Sequence, residues 1–170
     1  MEILITKVKE ENGWLSCMSP HPVTYNGKDY RTCEALFQAL RFSKYPNIQE
    51  EIRNCQSPMG AKMIARKNRE LLNRGKMWDE SEGDIQLMKD CLLLKLEQHP
   101  GLKEKLVLTG DAEIIEDCST HDRESARFWG AVKKQGEWIG KSNFGKLWME
   151  IREDLKSIQN KFGNSIHNLK

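Results

Sequence analysis

The segment Cys33–Phe42 carries the residue pattern most suited to chemistry. Read as a helix at about 100° per residue, Glu34, Gln38 and Arg41 fall in one narrow stripe. Around the stripe everything is apolar or a thiol: Leu36, Phe37 and Leu40 form one face, and Ala35 and Phe42 lie on the opposite flank. A surface helix has a broad polar face, so this helix is expected to be buried nearly all round. A buried carboxylate needs several partners. Two arrangements would supply them: a water- or ligand-filled pocket along the stripe, or a closed polar network in which Gln38 and Arg41 satisfy Glu34. With Thr32 as the N-cap, Glu34 falls in the first turn. There the helix dipole favours the ionised carboxylate, while burial favours the neutral acid. An ionised Glu34 would stabilise a developing cation or activate water; a neutral one would protonate a leaving group.

Other polar residues have weaker patterns. Lys62, Arg66 and Arg69 share one helical stripe and would suit a phosphate or a solvated basic face. Trp78, between two helical segments, has a flat surface for a base or for core packing. Between Asp117 and Arg127 runs a polar stretch without apolar periodicity, read as a loop. Asn143 suits a helix cap, and Lys133-Lys134 reads as a solvated pair or a contact to a nucleic-acid backbone. The five cysteines contain no C-x-x-C pair and the four histidines no metal spacing, so buried reduced thiols and no metal or cofactor are expected.

The elements that must position these groups can be read from turn and cap signals. Ile3–Val8 and Trp14–Leu15 read as strands, and Val23–Tyr25, Asn26-Gly27 and Lys28–Tyr30 as a hairpin, because Asn-Gly supplies the two positive φ angles of a type I′ turn. A first helix is predicted from Cys33 to about Tyr45, ending at Pro46. A second opens on Ser57-Pro58 and runs to about Arg74, with Gly75 as its stop. A third follows the capping box Ser81–Asp84 and ends near Pro100-Gly101. Short strands are expected at Leu106–Leu108 and Ile114-Ile115. A last helix from Asn143 turns Leu147, Trp148, Ile151, Leu155 and Ile158 inward, with a loose tail from Gly163. The class is α+β, one helix-dominated domain over residues 1–170 with a few short strands. Lys and Arg total 27 against 25 Asp and Glu, a net charge of +2, too balanced for a strong nucleic-acid field. With no apolar run long enough for a membrane span and no signal-peptide pattern, a cytoplasmic protein is expected.

The run Tyr30-Arg31-Thr32-Cys33-Glu34-Ala35-Leu36-Phe37-Gln38-Ala39-Leu40-Arg41-Phe42 resembles the central motif of the NADAR family. The similarity extends along the chain. It takes in Ser57-Pro58-Met59 with Ala61, Ala65 and Arg66, Trp78 followed by Met88, and Lys95-Leu96-Glu97-Gln98-His99-Pro100. Further on it takes in Thr109-Gly110-Asp111 with Ile114-Ile115-Glu116, Trp129-Gly130, and Asn143, Gly145, Leu147, Met149 and Arg152. The resemblance implies a hydrolase that cleaves a ribose C1–N bond in a ribosylated base. The base is either an ADP-ribosyl guanine in nucleic acid or a phosphoribosylamino-pyrimidine intermediate of riboflavin synthesis. The alternative is a non-catalytic module that binds NAD or ADP-ribose. Residue by residue, it makes Glu34, Asp122 and Trp78 catalytic, and Gln38, Arg41, Lys62, Arg66, Lys95, Trp129 and Asn143 substrate-binding. Two departures stand out. Ala126 occupies the position of the family's Asp, so Asp122, or after it Glu124, is the substitute; and Arg41 replaces the usual Lys, which rules out an imine there.

Overall fold

A computed structural model of the chain describes residues 1–73 and 82–167, by backbone alone at 82 and 160–167. Trp78, Gly75 and Ser81 lie outside the described residues. The fold is α+β and helix-dominated, with three two-stranded sheets among the described residues. Strand β1 (Glu2–Ile5) pairs in parallel with β4 (Glu113–Glu116), placing Ile5 opposite Glu116. β2 (Val23–Tyr25) and β3 (Lys28–Tyr30) form the expected hairpin, with Asn26 at φ 48° and Gly27 at φ 72°. A second hairpin, β5 (Val132–Lys134) with β6 (Glu137–Ile139), has the same turn chemistry from Gln135 and Gly136, both at positive φ, and was not legible in the sequence.

Helix α1 (Cys33–Leu40) starts where predicted: Thr32 Oγ1 accepts the Ala35 amide at 3.2 Å. It is the central element, buried from Cys33 through Ala39 and packed on α2 (Pro46–Asn54), α3 (Pro58–Lys67) and α4 (Glu82–Gln98). α1 ends at Leu40, well short of Tyr45, because Pro46 does more than stop a helix. Its fixed φ and missing N–H suit a first turn, and it opens α2. Pro100 acts in the same way. Leu106–Leu108, expected as a strand, belongs to α5 (Pro100–Leu108); three apolar residues in a row do not distinguish strand from helix. Ser57 caps α3 as expected through the Gly60 amide, but α3 ends at Lys67 and a 3-10 turn follows. The Ser81–Asp84 capping box involves Ser81, which lies outside the described residues; Asp84 itself is bound by Arg41, as described below.

Three further expectations are corrected. Trp14-Leu15 lies in a 3-10 turn, not a strand. The stretch after Asp117 is partly regular, with a 3-10 turn at Ser119–His121 and helix α6 (Glu124–Trp129). In α7 (Asn143–His167), Phe144, Leu147, Trp148 and Ile151 are buried and Leu155 is half-buried, but Ile158 is 51% exposed. Most of the buried apolar side chains join in one cluster from Ile5 to Ile151. No helix among the described residues is long and apolar enough to cross a membrane.

α7 lies directly on β4. The approach is close enough that a Cβ on Gly145 would overlap the Ile114 carbonyl oxygen. Gly145→Ala is therefore expected to destabilise the protein by about 1–3 kcal/mol through forced backbone movement, read as a lower melting temperature. Gly101→Ala, inside α5 where an added Cβ meets nothing within 4 Å, serves as the control and is expected to melt at or slightly above wild type.

Candidate active site

The polar stripe of α1 is a continuous hydrogen-bonded chain. Glu34, 3% exposed, accepts the Cys17 thiol on Oε2 at 2.9 Å and the Gln38 amide on Oε1 at 2.8 Å. Its own backbone amide donates to the Cys17 carbonyl at 2.9 Å. Gln38 Oε1 in turn accepts Arg41 Nη1 at 3.1 Å, and Arg41 Nη2 donates to Asp84 Oδ2 at 3.3 Å. The guanidinium also lies 5.2 Å from the centre of the Phe37 ring. Of the two arrangements open from the sequence, the network is present. Each Glu34 oxygen accepts one described hydrogen bond, although a carboxylate oxygen can accept two. Burial, and next the charge of Glu34, push the Cys17 thiol well above its ordinary range, which keeps it a donor.

A second carboxyl group belongs to this cluster. Glu116 ends β4, where its carbonyl accepts the Ala131 amide at 2.9 Å. Gly130 makes the approach possible, because a Cβ there would overlap the Glu116 carbonyl oxygen. Burial pushes the Glu116 carboxyl up to about 7, Lys62 pulls against that, and the charge of Glu34 adds to it. Among the described residues the Glu116 carboxyl accepts no hydrogen bond. Ser142 Oγ is the one fully enclosed side-chain polar atom without a partner there, so the Glu116 oxygens are not sealed in protein. The sequence reading passed over Glu116 as a motif residue. The available signal was an acid closing an apolar strand, Ile114-Ile115-Glu116, where a polar end has to face something other than core.

The remaining sequence-predicted residues separate into groups. Lys62, half-buried on α3, has its charge within reach of Glu116 and Cys118. Arg66 is exposed on the same helix, and Arg69 is exposed beside Glu70 at 3.5 Å. Lys95 is fully buried. Its ammonium donates to the carbonyls of Trp14 at 2.6 Å and Ser16 at 3.0 Å and to Ser19 Oγ at 2.8 Å, and burial lowers its pKa to about 8. All three of its donors thus hold the 14–19 segment to α4. Trp129 is 8% exposed and packs edge-on against Phe37 and Phe128. Asn143 donates to the Phe128 carbonyl at 2.9 Å, joining the start of α7 to α6.

Asp122 stands elsewhere. It accepts Arg127 at 2.6 and 2.7 Å and Lys134 at 2.9 Å, and these bonds hold it well below the usual carboxylate range. It lines an open cleft of about 560 Å³ with Arg123, Glu124, Arg127, Phe128, Gly140 and Lys141. Lys141 lies over the Phe128 ring at 5.2 Å, and neither Lys141 nor Arg123 has a carboxylate partner among the described residues. The fold thus brings Glu34 together with Glu116, and sets Asp122 and Glu124 on the cleft wall. No group of three or more His, Cys, Asp or Glu among the described residues could hold a metal ion.

The chain is similar to known proteins over most of its length. The NADAR domain model matches residues 5–156. The chain is 34% identical over 148 residues to "N-glycosidase YbiA" of Escherichia coli (strain K12), covering 86% of this chain and 83% of that one. It is 29% identical over 160 residues to "N-glycosidase Npun_R5314" of Nostoc punctiforme, covering 93% and 95%. The solved NMR structure of the E. coli protein YbiA superposes with a TM-score of 0.72 at 30% identity, over 94% of this chain and 89% of that one.

The raised Glu116 pKa has a consequence for stability. Its folded value of about 7 lies above the ordinary 4.5. The stability it contributes is complete below pH 4.5 and is lost as pH rises through 7. Relative to E116Q, which cannot titrate, the wild-type melting temperature is expected to fall between about pH 5 and pH 8; parallel curves across that window would contradict the assignment.

Proposed function

The chain belongs to the NADAR family, and we propose that it is an N-glycosidase hydrolysing the bond between ribose C1 and a base nitrogen in a phosphorylated, ribosylated base. It is a hydrolase of N-glycosyl compounds. Breaking such a bond passes through an oxocarbenium-like state, which requires a negative charge near C1, a proton for the base and a water molecule. The observation that carries the reading is Glu34: a carboxylate inside an apolar helix, oriented by the Cys17 thiol and the Gln38 amide. Because its donors are already in place, it can stabilise a cation with little rearrangement, the condition under which electrostatic catalysis is largest.

The cleft on α6 suits the phosphate. Arg123 and Lys141 offer cations there that no described carboxylate neutralises. Asp122, ionised and held between Arg127 and Lys134, suits hydrogen bonds from ribose hydroxyls better than proton exchange. Two substrates are compatible: a free phosphoribosylamino-pyrimidine, and an ADP-ribosyl guanine in nucleic acid. The small molecule is favoured. Lys134 is engaged with Asp122, and Lys133 lies over Trp138 at 5.0 Å, so that pair is less open to a nucleic-acid backbone. The net charge of +2 points the same way.

Incubation with each substrate, with free base followed by mass spectrometry, tests the reading. Glu34→Gln is expected to lower kcat by about a hundredfold to a thousandfold with ligand affinity within a few-fold of wild type. Binding without release of base from either substrate would instead favour a module that holds NAD or ADP-ribose. Alanine at both Arg123 and Lys141 is expected to raise KM for a phosphorylated substrate and leave kcat nearly unchanged, the pattern of lost uniform binding.

A further inference from the structure

Glu116, half-buried at the end of β4, is the one acid in the Glu34 cluster whose side chain accepts no hydrogen bond from the described residues. Its backbone is held from two sides, by the β1–β4 pairing through Ile5 and by the Ala131 amide, so the carboxyl starts from a fixed origin. The titratable and charged groups around it come from four parts of the fold. They are Glu34 on α1, Lys62 on α3, Cys17 in the loop before β2, and Cys118 two residues beyond β4. Neither thiol can serve as an acid near neutrality, since burial raises Cys17 far up and Cys118 to about 12. Asp122 is an ion-paired anion. The described histidine side chains are bonded elsewhere: His21 to Ser19, His99 to the Pro22 carbonyl, His121 to Thr120.

We propose that Glu116 is a further catalytic residue: its neutral carboxyl gives a proton to the departing base nitrogen as the ribose C1–N bond breaks, and its carboxylate then takes a proton from the water that adds to C1. The electron pair of the broken bond goes to nitrogen, which is protonated. The water oxygen bonds to C1, and Glu116 returns to its starting state, so the sum is hydrolysis with no other reactant. The inference rests on the N-glycosidase reading and divides its chemistry. Glu34, held by donors, supplies fixed negative charge; Glu116, without donors, exchanges the proton. Two carboxyl groups in one site with different partners can divide the work of anion and acid. The charge of Glu34 opposes ionisation of Glu116 and that of Lys62 favours it, which keeps the acid within reach of neutral pH.

The test compares wild type, E116Q and K62M on two probes: the ribosylated base that wild type turns over, and a 5′-phosphorylated nitrophenyl riboside, whose leaving group departs without a proton. Wild-type kcat/KM on the ribosylated base is expected to decline as pH rises through about 7. E116Q should lose about a hundredfold to ten-thousandfold in kcat on that probe together with the alkaline decline, and lose at least about tenfold less on the nitrophenyl riboside, where Glu116 is needed only for the water. K62M should move the decline to higher pH, because a cation that favours ionisation is gone. An equal loss by E116Q on both probes, or an unchanged rate and pH profile on the ribosylated base, overturns the proposal. Circular dichroism and melting of each variant show whether a loss is one of folding. If wild type releases no base from any ribosylated probe, it is the N-glycosidase reading that fails.

Discussion

A carboxylate moved out of water into apolar surroundings is costly unless donors replace the water it leaves. Glu34 is in that position on α1, and much of the surrounding structure answers to it. Gln38, one turn on, donates to one oxygen; Cys17, from a distant part of the chain, donates to the other. Gln38 then needs a donor for its own oxygen, which Arg41 supplies, and the buried Arg41 needs an anion, which Asp84 supplies from α4. One acidic side chain thus dictates a chain of contacts that ties α1 to the N-terminal loop and to α4.

The same constraint explains why the two carboxyl groups of the cluster differ. Both are glutamates; Glu34 is buried and Glu116 half-buried. Glu34 is surrounded by groups whose hydrogens point at it. Glu116 is surrounded by β1, Gly130 and Ala131, which engage its backbone and leave its carboxyl without a donor. A carboxyl without donors, beside another carboxyl, is favoured as the neutral acid, which is the situation of Glu116. Only the cation of Lys62 works in the opposite direction. The difference between the two lies in their neighbours, which are set by chain paths meeting from opposite ends of the sequence.

The cleft beside α6 is built on other physics. It is open, lined by cations and anions in mixed order, and its acid Asp122 is paired twice over. Its connection to α1 runs through aromatic packing, Phe128 on Trp129 and Trp129 on Phe37. An open, solvated cleft and a shielded carboxyl cluster are different environments, and edge-on ring contacts are a direct way to keep two such regions in register.

The amino-acid sequence by itself determined whatever depends on near neighbours. The Asn26-Gly27 hairpin, the Thr32 and Ser57 caps, the burial of α1 and the polar stripe at Glu34, Gln38 and Arg41 were all legible, because turn geometry, capping and helical periodicity act within a few residues. Legible too, through ordered motifs spread over the chain, was the family. Tertiary structure alone decided that Pro46 and Pro100 open helices as well as ending them, since the continuation beyond a proline depends on what it packs against. It also decided that Lys95 holds the 14–19 loop, that Asp122 sits with Arg127 and Lys134, and that Glu116 lies beside Glu34. Those facts depend on residues far apart in the chain whose side chains meet only after folding, and local spacing carries no information about such meetings.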